Sequence, residues 1–100
     1  MTIREAFAPV YTKGITVAPA VGSANTEFGK GSKSVQLHNT GANICYVRIG
    51  TGSTLAATAA DYAVPAGALR IISKAQDDDY LAYISAAGTT LNAIPGEGGI

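Results

Sequence analysis

The sequence predicts an all-β fold, a small antiparallel β-sandwich with an extended N-terminal arm, and three observations carry that reading. Between Ser34 and Gly50, Val35 and Leu37 alternate with Gln36 and His38, and Cys45, Val47 and Ile49 alternate with Ile44, Tyr46 and Arg48. About six or seven such short runs are separated by turn residues, and no stretch carries a convincing helical stripe. A pair of strands with one apolar face must be covered by a second sheet, which the remaining runs can supply.

One hundred residues make one domain, divided here into an arm over residues 1–13, a sandwich over 14–94 and a tail over 95–100. The chain is 47% hydrophobic but only 14% charged, with Gly 12 and no Trp. So few charges on so small a body suggest that part of its surface is covered by another chain. Seven basic and seven acidic residues cancel, and no basic stripe is visible, which argues against nucleic acid as a partner. No segment approaches the roughly 20 apolar residues of a membrane-spanning helix, and the N-terminus lacks the apolar core of a secretory signal, so a protein made in the cytoplasm is expected.

In chain order, Pro9 interrupts any helix over Met1 to Lys13, so an extended arm is expected there. Ile3, Phe7, Val10 and Tyr11 would be its contact residues, each large apolar group contributing roughly 1.5–3 kcal/mol if fully buried on a neighbour. Gly14 to Pro19 offers a first strand with Ile15 and Val17 inward. Ala20 to Lys33, rich in Gly, Ser and Asn, reads as a long loop or a weak strand. Its GKGSKS run lacks the following amphipathic helix that a phosphate loop needs.

Ser34 to Asn39 and Cys45 to Gly50 read as a hairpin joined by Asn39-Thr40-Gly41-Ala42-Asn43, since Asn and Gly tolerate tight reversals. Thr54 to Ala60 is Ala/Thr-rich and reads as a loop or irregular edge. Val64-Pro65-Ala66-Gly67 turns into a strand over Ala68 to Ser73, with Leu69 and Ile71 facing the core. Tyr80 to Ser85 follows, Leu81 and Tyr83 on one face and Tyr80, Ala82 and Ile84 on the other, which implies a central strand or an outside contact. Thr89 to Ile94 closes the set. Pro95 lacks a ladder amide, so the strand is expected to end there and a flexible tail to follow.

Chemistry-bearing residues are sparse. His38 is the single histidine and reads as a solvated strand residue; Cys45 reads as a small buried hydrophobe on the opposite face. Asp77-Asp78-Asp79 reads as a solvated turn, because the D-x-D-x-D-G spacing of a calcium loop is missing. No catalytic, cofactor or metal constellation emerges, so an enzyme is not expected. Five tyrosines form the main aromatic resource, and Tyr46 and Tyr83 are the candidates for an interface, where an apolar ring with a polar tip is favoured.

The segments HNTGANICYVRIGTG, DYAVPAGA and YLAYISAAGTTLNAIPGEG, in that order, resemble small virion proteins of tailed bacteriophages and prophages. The likeness runs from about Val35 to Gly99. It implies a jelly-roll-like sandwich serving as a capsid decoration or cement protein, located on the virion surface. Its implied partners are the major capsid protein and further copies of itself, as a dimer or trimer, since capsid sites are symmetric. A tail or head-completion role is the variant within this class. A carbohydrate-binding surface module is the rival outside it, weakened by the lack of Trp.

Overall fold

The alternating runs form strands, and in the computed structural model, which describes residues 7–98, they build two antiparallel sheets packed face to face. The strands are β1 (Ala8–Pro9), β2 (Ile15–Val17), β3 (Ala24–Glu27), β4 (Ser34–Asn39), β5 (Cys45–Gly50), β6 (Tyr62–Val64), β7 (Leu69–Ser73), β8 (Tyr80–Ile84) and β9 (Leu91–Glu97). The first sheet has the order β1-β9-β4-β7, with β2 also on β9, and the second has β3-β8-β5-β6. The protein is a small β-sandwich, with no helix among the described residues.

Side chains that alternate along each strand meet across the layers. Val35, Leu37, Leu91 and Ala93 come from the first sheet, and Cys45, Val47, Val64, Leu81 and Tyr83 from the second. Phe28 joins this core, with Ile15, Val17, Ile49, Ala68 and Ile72 around it.

Four expectations are corrected. β4 and β5 are not a hairpin: β4 pairs with β7 and β9, and β5 with β6 and β8. Two runs with one apolar face each can bury those faces by stacking across the core as well as by lying side by side, and here they stack. The link between them is fixed by Asn39, which is fully buried. Its Nδ2 donates to the carbonyls of Asn43 at 2.7 Å and Val64 at 2.9 Å, while its Oδ1 accepts from Gly41 N at 3.1 Å and Thr89 Oγ1 at 2.7 Å.

On β7 the faces are reversed. Ile72 stands opposite Val35 and packs on the core, whereas Leu69 and Ile71 pair with His38 and Gln36 on the outer face. Ala68 and Ile72 form a second apolar series in phase with Arg70, so alternation alone cannot choose between the two faces.

β9 does not end at Pro95 but continues to Glu97, so residues 95–97 belong to the sandwich. Antiparallel residues direct both backbone groups to one neighbour, and successive residues alternate. Val10 N donates to Pro95 O at 2.8 Å, so the amide that Pro95 lacks would have faced Val10 and not β4. The Val10 carbonyl accepts instead from Lys13 N at 3.3 Å, in a turn where Thr12 adopts φ +68°.

Of the loop or weak strand read over Ala20 to Lys33, Ala24–Glu27 is the strand β3, and β6 (Tyr62–Val64) takes in Val64, where a turn was expected.

Candidate protein interface

The arm residues fall into two groups. Ile3 lies outside the described residues. Phe7 is half-buried and its ring rests over Gly96, where a Cβ would come within 2.6 Å of the ring and 2.5 Å of Ala8 O. Ala8 and Pro9 pair with Glu97 and Gly96, so this stretch forms an edge of its own sheet. Val10 and Tyr11 follow at the turn, and Tyr11 is 78% exposed.

Below that turn the two layers part, leaving an open groove of about 640 Å³ lined by the apolar Val10, Ile15, Phe28 and Pro95. Lys13, Lys30, Glu27 and Glu97 also line it, so its charges cancel. It is no anion cradle. Gly29 and Gly31 have positive φ, as a phosphate loop would, but Gly31 N already donates to Gln76 O and Ser32 N to Gly29 O. The Lys74 stem presses on Gly29, its Nζ donates to the carbonyls of Ala75 and Asp78, and burial lowers its pKa.

The two tyrosine candidates separate by sheet face. Tyr83 is a core residue, 8% exposed, its hydroxyl 3.0 Å from Thr26 Oγ1, and is unavailable to a partner. Tyr46 points outward beside Ala63 and Ile84 and is half-buried. The outer face around it is already partly roofed by its own chain. Asn25 Nδ2 holds the carbonyls of Ser53 and Leu55 at 2.9 and 2.8 Å, and the Leu55 side chain lies over Gly50. Arg48 meets Asp61 at 2.8 Å on the same face. The Thr58 amide, ahead of the arginine, holds the Asp61 carboxyl below its usual pKa.

Sequence reasoning missed other exposed apolar groups. Val21, in the β2–β3 loop, is 78% exposed, and Leu69 on β7 is 52% exposed. Val21 sits outside any alternating run and so gave no signal; Leu69 was assigned to the wrong face.

The reactive side chains are kept apart. His38 stands on the outer face of the first sheet, between Leu69 and Asn92, while Cys45 faces inward from the second. Burial pushes the Cys45 thiol up to about 11, so it stays protonated at neutral pH. Asp78 Oδ2 accepts from Ala75 N within its own loop, and Asp79 Oδ1 accepts from Gly52 N in the loop after β5, which commits both carboxylates to backbone amides. Among the described residues no group of three His, Cys, Asp or Glu side chains is placed to hold a metal ion.

An exposed tyrosine and a partly exposed valine stand beside an apolar groove of balanced charge. No family model matches the chain, nor does any curated protein.

Proposed function

We propose that the protein is a structural component of a phage virion, a decoration or cement protein that binds the outside of the head and braces neighbouring capsid subunits. The observation that supports this best is the turn carrying Val10 and Tyr11, whose apolar side chains stand exposed beside the groove on a chain with few charges. Seating those groups on a capsid subunit would remove them from water. Each copy touching more than one subunit would force several contacts to break together when the shell ruptures. Copies related by a shell symmetry axis would also meet each other.

Heating shells with and without the protein tests the reading. A raised rupture temperature in its presence is expected; no binding to shells, or an unchanged temperature, removes the idea. Tyr11→Ser should weaken shell binding about tenfold or more if the ring is an anchor. Its effect on the free protein's stability should stay within about 0.5 kcal/mol, as for an exposed side chain.

One feature favours a second reading, a sugar-binding surface module. A depression of about 320 Å³ on the first sheet is lined by Thr16, Gln36, His38 and Asn92, all hydrogen-bonding groups. Binding on a glycan array, lost in Gln36→Ala, would select that reading.

A further inference from the structure

β7, Leu-Arg-Ile-Ile-Ser, is an edge strand with β4 on one side and, among the described residues, no strand on the other. The bonds at its ends show which backbone groups face outward. Ala68 O accepts from Asn39 N at 3.0 Å, and Lys74 N donates to Lys33 O at 2.9 Å. By the alternation of an antiparallel ladder, Ala68, Arg70, Ile72 and Lys74 face β4, whereas Leu69, Ile71 and Ser73 present their N–H and C=O groups to solvent. Of those outward groups, Leu69 O alone has a partner among the described residues, Arg70 Nη1 at 3.2 Å.

The other edges are guarded. β1 and β2 break their side of β9 into pieces of two and three residues, and Pro9 turns its missing amide outward. β6 has three residues and stops at Pro65, and β3 is the polar Ala-Asn-Thr-Glu. β7 is the longer, apolar edge, blunted among the described residues by Arg70 at Leu69 O, and Leu69 on it is half exposed.

We propose that β7 pairs with β7 of a second copy, antiparallel about a two-fold axis at Ile71, so that the two first sheets join into one. Charge permits a second copy and selects the register. The chain's formal net charge is zero, so copies do not repel at long range. Three registers bring two or more of the outward residues against outward residues. Centring on Arg70 sets Arg70 against itself, and centring on Ile72 sets Arg70 against Lys74; like charges directly opposite are destabilising. Centring on Ile71 sets Arg70 against Ile72, where its stem has an apolar surface to lie on. It also bonds Ile71 to Ile71 and Leu69 to Ser73 across the axis. The Arg70 guanidinium moves off Leu69 O to release that acceptor.

This deepens the self-association in the capsid reading and rests on that part of it alone, so a test without shells separates the two. Ile71→Cys and Ile72→Cys are each oxidised in solution; buried Cys45 keeps the background low. At an Ile71-centred pairing the Cα atoms of the two copies lie about 5.5 Å apart, within disulfide reach. Ile71→Cys should cross-link to a dimer and Ile72→Cys should not. Sedimentation equilibrium of the unmodified chain should show mass rising from 10.1 kDa towards twice that value. Ile71→Pro, which removes an outward amide and none given to β4, should abolish the rise while leaving the circular dichroism of the sheets unchanged. A single-chain mass up to ~1 mM, a limit that would leave only negligible affinity, overturns the pairing. So does a dimer that survives Ile71→Pro, or cross-linking at Ile72 instead of Ile71.

Discussion

Asn39 is the polar residue on which the core's geometry turns. Its removal would strand the carbonyls of Asn43 and Val64, the amide of Gly41 and the hydroxyl of Thr89. Unsatisfied buried groups cost about 1–3 kcal/mol each, so Asn39→Leu should lower stability by about 2 kcal/mol or more. For a domain of this size that is a fall in Tm of roughly 10 °C, and a shift under ~2 °C in a calorimeter would show the network to be dispensable. Two titrating residues shape the pH dependence in opposite directions. Cys45 binds its proton more tightly folded than unfolded, so its contribution is complete below the ordinary thiol value of 9.0 and is lost as pH rises towards about 11. Urea unfolding from pH 8 to 11 should fall more steeply for the native chain than for Cys45→Val; identical slopes would refute this. Asp61 is held below its ordinary value of 3.8, chiefly by the Thr58 amide, so its contribution is present above that pH and fades as acid protonates the folded form. Asp61→Asn should flatten the acid limb of the stability curve.

At the scale of the element, β1 is held to β9 at a point where only glycine fits. Adding a methyl at Gly96 would collide with Ala8 O and the Phe7 ring, so Gly96→Ala should release β1 from the sheet. Hydrogen exchange would read this as loss of protection at the Val10 amide with β4 amides still protected; full protection at Val10 would contradict it. The positions of β4, β5, β7, β8 and β9 were legible because alternation is a local signal. Their partners were not: Val35 and Cys45 look the same whether their strands pair or stack, and what decides is Asn39, whose bonds span up to 50 residues of sequence. Pro95 misled because a missing amide ends a strand only when a neighbouring carbonyl needs it, and Val10 O is served by Lys13. The candidate interface was partly legible. Tyr11 is exposed, but Tyr83 and Tyr46 carry the same chemistry on opposite faces, and only the sheet's sidedness assigns one to the core.

For the molecule as a whole, every strand partner is distant in sequence or lies across a long loop, so the chain must close large loops before any sheet gains its bonds. Refolding from urea should accordingly take milliseconds to seconds, as for other all-β domains; a microsecond phase carrying the full amplitude would count against this topology. The pairing of Ala8 with Glu97 sets the first and last strands side by side, roughly 5 Å apart between backbones. In a chain shortened to residues 7–98, a few glycines bridging Phe7 to Gly98 would therefore close a ring with no strand displaced. New ends cut at the exposed Gly52–Ser53 bend would then give a circular permutant with the same sheets in a different reading order, and cargo fused to both ends of the shortened, uncyclised chain would leave the protein side by side.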